Sequence, residues 1–253
     1  MASVAIHPSA IVDPGAAIGE GVFIGPFAVI EAGAEIGDGC LIEAHGVVRG
    51  GCSLGAGSVV HPFAVLGGAP QDKRYAGEPT RLVIGERNVF REHVTAHRGT
   101  AQGGGLTRVG SGGLFMAGAH IAHDVSVGDG VILANGTLLG GHVTVGDHAV
   151  TGGQVAVAPF VRVGARAFLA GGAMVERDVP PFVIAAGDRA RVRALNKVGL
   201  ARSGVPEASR IALERAFRAI FRSGAPRREA AAALKDDADP FVRELSAFVL
   251  ESP

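Results

Sequence analysis

Aliphatic residues recur at every sixth position along the first quarter of the chain. The series begins at Ile6, ends at Leu66 and contains only Ile, Val and Leu. A second series of smaller residues runs two positions earlier, from Val4 to Ala64. Because side chains two apart on a strand share a face, the two series predict short strands that point one small and one large residue inward. A six-residue period is typical of the hexapeptide parallel β-helix, whose triangular coils take about 18 residues and wind left-handed.

Two irregular segments interrupt this period. Residues 68–83, GAPQDKRYAGEPTRLV, contain prolines, charges and the only Tyr, and predict a protruding loop. Residues 97–108, HRGTAQGGGLTR, predict a second loop that shifts the register by one residue. The aliphatic series then continues from Val109 to Val175 with Thr151 as its one polar member. We therefore predict an all-β left-handed parallel β-helix over residues 1–186, with inserted loops near these two segments.

The pattern changes to a helical one near residue 187. Residues 206–224 and 239–252 have apolar side chains at helical spacing, so we predict a C-terminal helical domain over 187–253. Between residues 189 and 228 there are eleven Lys or Arg residues against two Glu. Such a run is either a solvated helical face or a docking surface for an acidic partner.

Composition narrows the class of protein. Hydrophobic residues make up 47% of the 253 residues but aromatic residues only 5%, and Gly occurs 39 times, which indicates an aliphatic core with many tight corners. The net charge of +0 gives no sign of a nucleic-acid or membrane-surface partner. No apolar stretch approaches the roughly 20 residues of a membrane span, and the start has no leader pattern, so we expect a cytoplasmic protein. Cys40 and Cys52 fall in the small inward series and are expected to be packing residues.

Polar side chains gather near the second loop. His120, His123 and Asp124 occur within five residues of an otherwise apolar run, and His142 follows Asp124 by the length of one coil. The β-helix should therefore place His142 directly against Asp124, with His97 close to the loop. All five lie outside the two inward series, so we expect them to point outward into a groove or an interface.

Such a cluster has three interpretations. A neutral His beside an Asp is a suitable general base at neutral pH, because the carboxylate fixes the tautomer and stabilises the imidazolium. A zinc site like that of a γ-type carbonic anhydrase is a second interpretation. A flat strand would send His120 and His123 to opposite faces, which makes a shared metal ion less natural. A non-catalytic β-helix with surface polar residues is the third.

Five motifs occur in an order that resembles the UDP-N-acetylglucosamine O-acyltransferases, the hexapeptide-repeat acyltransferases of lipid A biosynthesis. They are QDKRYAGEPT (71–80), HRGTAQGGGLTRVG (97–110), AHIAHD (119–124), GGHVTVGD (140–147) and DVPPFVIAAGD (178–188). The resemblance covers nearly the whole chain, including the helical tail.

The resemblance implies transfer of a (3R)-3-hydroxyacyl group from acyl carrier protein to the 3-hydroxyl of UDP-N-acetylglucosamine. It implies a homotrimer with active sites at the subunit interfaces. His123 would be the general base, Asp124 its orienting partner, and the backbone N–H of Gly141 the oxyanion donor. No metal or bound cofactor is implied, because the acyl group arrives on the phosphopantetheine of the carrier protein.

The resemblance also implies binding roles for further residues. Asp72 would bind sugar hydroxyls, and the basic stretch 189–228 would meet the acidic carrier protein. Gly171 would leave room for a longer acyl chain. The remaining implied substrate-binding residues are Gln71, Arg74, His97, His120, His142, Asn196 and Arg202, and the implied acyl-chain pocket comprises Phe168, Gly171 and Arg189.

The chain departs from the family's pattern at several of these positions. Arg74 replaces a Lys, so that either Lys73 or Arg74 could contact the substrate. Ala158 and Pro159 replace a His and a Gln, Arg189 replaces a His, and Ser203 replaces an Arg. These changes leave the preferred acyl length open. The acceptor also stays open, because some relatives acylate a 3-amino sugar nucleotide to an amide, and another nucleotide sugar is a further alternative.

Overall fold

The computed structural model describes residues 4–252. The chain winds as a left-handed parallel β-helix followed by four helices, which confirms the predicted fold class. Three sheets form the faces of the triangular coil, and we call them sheets A, B and C.

Most strands are only two residues long, because each hexapeptide supplies one strand and one corner. Sheet A contains Ala5–Ile6, Phe23–Ile24, Leu41–Ile42, Val59–Val60, Val89–Phe90, Leu114–Phe115, Ile132–Leu133, Val150–Thr151, Phe168–Leu169, Val183–Ala186 and Arg191–Leu195. Sheet B contains Ile11–Val12, Val29–Ile30, Val47–Val48, Val65–Gly68, Thr95–His97, His120–Ile121, Leu138–Leu139, Ala156–Val157 and Met174–Val175. Sheet C contains Ala17–Ile18, Glu35–Ile36, Cys52–Leu54, Arg81–Ile84, Leu106–Val109, Ser126–Val127, Thr144–Val145 and Arg162–Val163.

The two loops are shorter than the sequence predicts. Irregular backbone covers residues 69–80 and 98–105, whereas Arg81–Ile84 and Leu106–Val109 are strands. These two strands pair with each other over four residues in sheet C. The last residues of both segments expected to be loop are therefore strand, and their backbones pair in sheet C.

The two inward series form the core. Members such as Ile24, Leu66 and Leu139 are 0–1% exposed, and the small series packs between them. Ile6 is 47% exposed, because the first coil has a described neighbour on one side only. Cys40 and Cys52 are free and buried, and burial raises the pKa of the Cys52 thiol to about 12, as expected of packing residues.

The outer faces of the three sheets differ in chemistry. Outward residues of sheet C are mainly polar: Glu35, Ser53, Arg81, Arg108, Ser126, Thr144 and Arg162. Outward residues of sheet A are apolar: Phe23, Leu41, Val59, Val89, Leu114, Ile132, Val150 and Phe168. Sheet B is apolar over much of its length. A column of four stacked aromatic rings lies at the corner between sheets A and B: Phe27, His45, Phe63 and His93.

Four helices follow the last strand: α1 (Lys197–Arg202), α2 (Glu207–Phe221), α3 (Arg227–Ala232) and α4 (Pro240–Glu251). The patterns over 206–224 and 239–252 correspond to α2 and α4. Asp239 caps α4 by accepting hydrogen bonds from the N–H groups of Phe241 and Val242. Within residues 4–252, none of the helices combines the length and the apolar character that crossing a membrane requires.

Arg162 joins the β-helix to the last helix. Its guanidinium bonds Asp178 at 2.8 Å and Glu251 at 3.3 Å, and it lies 4.7 Å from the ring centre of Phe248. Arg162 therefore fastens α4 to the C-terminal end of sheet C.

Candidate active site

His123 and Asp124 form a hydrogen-bonded pair at a corner between sheets B and C. His123 Nδ1 lies 2.8 Å from Asp124 Oδ2, and the two side chains are 14% and 1% exposed. A carboxylate can only accept a hydrogen bond, so the proton is on Nδ1 and the lone pair of Nε2 is available. The pair therefore has the arrangement of a general base with its orienting acid.

The second loop holds the carboxylate of Asp124. The N–H and the hydroxyl of Thr100 each donate to Asp124 at 2.7 Å, and the N–H of Asp124 donates to the Thr107 hydroxyl at 2.8 Å. Burial alone would raise the pKa of Asp124, but the hydrogen bonds from Thr100 and His123 outweigh it and lower the pKa. Asp124 thus stays ionised, although its side chain is buried beneath the second loop.

His142 lies one coil beyond Asp124, as the repeat predicts. Both residues adopt left-handed backbone, with φ of 63° and 61°, and His142 Nε2 lies 3.5 Å from Asp124 Oδ2. The His142 ring stacks on Phe160 with a centroid distance of 4.4 Å. Ligand atoms of His123, Asp124 and His142 all lie within 4.8 Å of one another, so among residues 4–252 this trio is the group that could hold a metal ion. His120 is not part of it, in line with the expectation that His120 and His123 do not share a metal.

Gly141 faces the ring of His123. A Cβ at residue 141 would lie 2.6 Å from Cε1 and 2.9 Å from Nε2 of His123. The N–H groups of Gly140 and His142 bond to other coils, but within residues 4–252 that of Gly141 has no backbone partner. Pro159, which has no backbone N–H, occupies the equivalent corner position on the next coil. The free N–H of Gly141 therefore lies beside the base.

His97 and His120 lie on the preceding part of sheet B. Their rings meet edge to face at 4.9 Å, and His120 Nδ1 bonds the Thr95 hydroxyl at 2.8 Å. His97 is 8% exposed and its Nδ1 is buried without a partner among the described residues. His97 follows the inward residue Ala96, and its ring lies against His120 on the outer side of sheet B, where Gly68 of the neighbouring coil covers it.

Burial and the neighbouring His120 and His123 lower the pKa of His97 to about 4. Between pH 6.5 and pH 4 the unfolded chain binds a proton at His97 that the native chain does not bind. The free energy of unfolding should therefore decrease as the pH is lowered from 6.5 to 4, and His97 should contribute up to about 3 kcal/mol of this decrease. Denaturant titrations at several pH values should show a flatter dependence for His97→Gln. If the free energy of unfolding of His97→Gln depends on pH as steeply as that of wild type, the lowered pKa of His97 is contradicted.

The first loop places Asp72 on the same side of the β-helix. Arg74 binds Asp72 at 2.7 Å, and the Asp72 side chain is 11% exposed. Hydrogen bonds from Arg74, with a smaller contribution from the charge of His123, hold the pKa of Asp72 well below its usual range. Arg74 and not Lys73 makes this contact, while Gln71 is exposed.

Comparisons with known proteins give the family of this chain. Family models described as "Udp N-acetylglucosamine O-acyltransferase; Domain 2" and "Bacterial transferase hexapeptide (six repeats)" match residues 178–253 and 15–50. An acyl-[acyl-carrier-protein]--UDP-N-acetylglucosamine O-acyltransferase of Herminiimonas arsenicoxydans is 44% identical, over 98% of this chain and 97% of its own. The one from Myxococcus xanthus is 51% identical, over 91% and 89%.

The chain belongs to the UDP-N-acetylglucosamine O-acyltransferase family. This confirms the resemblance seen in the motifs. The UDP-N-acetylglucosamine acyltransferase from Campylobacter jejuni is similar in structure, with a TM-score of 0.94 at 37% identity over 98% of this chain and 97% of its own.

Other residues expected in this acyltransferase's site lie away from the base. Asn196 is 8% exposed and uses both ends of its amide within the chain, since it caps α1 through Gly199 and donates to the Arg166 carbonyl. Arg202 is exposed in the last turn of α1. Ser203, where the family has Arg, accepts a hydrogen bond from Arg166. In the described single chain, none of these side chains bonds His123.

The residues expected to form the acyl-chain pocket of this acyltransferase lie toward the C-terminal end of the β-helix. Phe168 faces outward from sheet A, and Gly171 is at the corner that follows, where a Cβ would meet only Gly153, at 3.4 Å. Arg189 lies 3.6 Å from Glu176. These residues are distant in sequence from His123 but lie down the same β-helix.

Sequence reasoning missed three residues of this acyltransferase that shape the site. Thr100 and Thr107 bind Asp124, and Phe160 supports His142. Thr100 lies in the HRGT motif, so the sequence singles out its position. Its contact with Asp124 depends on how the second loop folds back, which the motif does not predict. Phe160 follows His142 by one coil, and this spacing could have identified it.

Proposed function

We propose that this chain transfers a (3R)-3-hydroxyacyl group from acyl carrier protein to the 3-hydroxyl of UDP-N-acetylglucosamine, the first step of lipid A biosynthesis. The observation that carries the proposal is the His123–Asp124 pair with the free N–H of Gly141 beside it. The similar proteins whose names give this reaction support the acceptor and the donor.

The proposed reaction begins when His123 Nε2 takes the proton of the sugar hydroxyl as its oxygen attacks the thioester carbon. Asp124 holds the ring and stabilises the imidazolium that forms. The N–H of Gly141 donates to the oxyanion of the tetrahedral intermediate. When the intermediate collapses, the C–S bond breaks, the ester forms, and the imidazolium returns its proton to the thiolate of phosphopantetheine. In this scheme no metal or bound cofactor takes part.

We place the acceptor on the side of the first loop, where Asp72 lies near the base with its charge balanced by Arg74. Gln71, His97, His120 and His142 would line this side. The basic segment 189–228 would dock the acidic carrier protein in the cytoplasm, and its many exposed Arg residues suit that role. Asn196 and Arg202 would contact the nucleotide or the acyl carrier protein at a neighbouring subunit's site.

Mass spectrometry tests this proposal. The purified protein is incubated with UDP-N-acetylglucosamine and a panel of 3-hydroxyacyl carrier proteins, in parallel with the 3-amino sugar nucleotide. An acylated UDP-N-acetylglucosamine supports the proposal. A product from the amino sugar alone would favour the amide-forming alternative, and no product from either would reject both.

We further propose that the chain is a homotrimer. Sheets A and B both expose apolar faces, and the aromatic column joins them, whereas sheet C is polar. Exposed apolar surface of this extent marks an interface between subunits.

Phe63→Asp should dissociate the trimer, because it places a charge in the aromatic column, where Phe63 is 50% exposed. The φ of 64° at this residue suits Asp better than Phe, so the fold itself should tolerate the change. Analytical ultracentrifugation should give a trimer of the 25.6 kDa chain for wild type and for Thr144→Asp on sheet C. A trimeric Phe63→Asp would contradict the proposed interface.

A further inference from the structure

Three side chains converge at the corner where the base lies. His123 Nδ1 lies 2.8 Å and His142 Nε2 lies 3.5 Å from the same oxygen of Asp124, Oδ2. Two ligand atoms of a tetrahedral zinc ion are about 3.3 Å apart, because each lies about 2.0–2.1 Å from the metal. The two distances fall on either side of this value. Shifts of about 0.5 Å or less therefore give both pairs of atoms the spacing of a zinc site.

The backbone and the neighbouring side chains hold the trio in place. Asp124 and His142 occupy the same corner on successive coils, and the N–H of His142 donates to the His123 carbonyl at 3.1 Å. Two hydrogen bonds from Thr100 orient the carboxylate, and Phe160 stacks on the His142 ring. Contacts of this kind orient the ligands in metal sites. An ion would therefore find the three ligands already assembled.

The chemistry of the trio selects the kind of metal. Two imidazoles and one carboxylate suit zinc and similar transition-metal ions, whereas Mg²⁺ and Ca²⁺ prefer oxygen ligands. Within residues 4–252, no Arg or Lys lies within ion-pair distance of Asp124, so its charge is free to attract a cation. The side chains of His123 and His142 are partly exposed, which leaves the site open to a small ion from solvent.

We propose that Zn²⁺ binds His123, Asp124 and His142 and reversibly inhibits acyl transfer. The inhibition rests on the proposed function, to which it adds a regulatory ligand. Catalysis needs the proton on Nδ1 of His123 and the lone pair on Nε2. A metal on Nδ1 takes the lone pair of that nitrogen, so the proton of the neutral ring moves to Nε2. The ring then has no lone pair with which to accept the proton of the sugar hydroxyl.

Metal binding is measured first, without substrates. Calorimetric titration of chelator-treated wild type with Zn²⁺ should give one ion per chain at this site, and Mg²⁺ should not bind there. His142→Asn removes one ligand and should weaken zinc binding by about 10² or more, since even the loss of an outer contact costs up to about 10². Asn suits the φ of 63° at residue 142, so the fold should tolerate this change.

His61→Gln is the matched control for His142→Asn. His61 also bonds a carboxylate, that of Glu43 at 2.9 Å, but within residues 4–252 no third ligand completes a metal group there. This variant should bind zinc as wild type does. X-ray absorption at the zinc edge of wild type gives the ligands without any variant and should show two imidazoles. A bound ion with fewer than two imidazoles would overturn the proposed site.

Acylation is then measured in the same three proteins with and without Zn²⁺. Wild type and His61→Gln should lose activity as the site fills and recover it when EDTA removes the metal. The residual activity of His142→Asn should resist the same concentration of zinc.

The failures of these measurements are distinguishable. A wild type that binds no zinc, or a His142→Asn variant that binds it equally tightly, would overturn the metal site. Equal inhibition of all three proteins would place the effect of zinc on the substrates and overturn the proposed inhibition, as would a zinc-loaded wild type that stays active. If wild type acylates neither acceptor without zinc, the proposed function fails, and the calorimetry still decides whether the site binds the metal.

Discussion

Replacing Gly141 by alanine is expected to lower the kcat of acyl transfer by about 10². The new Cβ would lie 2.6 Å from Cε1 of His123, so the ring must move away from the position that its bond to Asp124 fixes. The backbone at Gly141 is not left-handed, and alanine adopts it without strain. Steady-state kinetics at saturating substrates should therefore show the loss in a protein that melts close to wild type.

Gly153→Ala provides the matched control for Gly141→Ala. Gly153 also has backbone that alanine can adopt, but its nearest neighbour to a new Cβ is the Asn135 carbonyl oxygen at 3.5 Å, an ordinary contact. The kcat of this variant should stay near the wild-type value. Equal kcat values for the two variants would show that the position of the His123 ring is not what Gly141 protects.

Replacing His123 by alanine is expected to lower kcat by about 10² to 10⁴, or about 3–5 kcal/mol of barrier, because a secondary hydroxyl attacks a thioester poorly unless its proton is removed. His148→Ala is the control, since His148 is an exposed histidine at another corner, with φ of 57°. Initial rates of acylated product should fall for His123→Ala and stay near wild type for His148→Ala. A similar rate in both variants would remove His123 from the mechanism.

The β-helix could be predicted from sequence because its information is local and repeated. Each coil buries the same two positions of a hexapeptide. Ile24 and Leu66 fall in one register, and Leu139 falls in the register that the second loop shifts by one residue. A slip of one residue would turn every large side chain to the outside, so the pattern permits one solution. The contact of Asp124 with His142 follows from the same repeat, since one coil separates them.

The parts that could not be predicted depend on chain that leaves the repeat. Residues 98–105 fold back so that Thr100 binds Asp124, and no periodicity describes this path. The burial of His97 has the same origin. The six-residue helices α1 and α3 are too short for a helical period to appear in the sequence.

The departures from the family's pattern have structural explanations at two positions. Pro159 occupies a corner where the backbone N–H has no partner to lose, and Gly140 packs against it. Ser203 ends α1 and accepts from Arg166, so it fastens the first helix to the β-helix. Neither change touches His123 or Asp124, which leaves the proposed chemistry intact.

The measurement that tests the central claim most directly separates acceptor binding from chemistry in His123→Ala. Equilibrium binding of UDP-N-acetylglucosamine is measured by calorimetry, and acyl transfer to the bound sugar is followed in a single turnover with excess 3-hydroxyacyl carrier protein. A general base acts on the bound substrate, so the acceptor Kd should stay within a few-fold of wild type while the single-turnover rate falls by about 10² or more. An unchanged single-turnover rate, or a loss accounted for entirely by weaker binding, would contradict the role of His123 as the base.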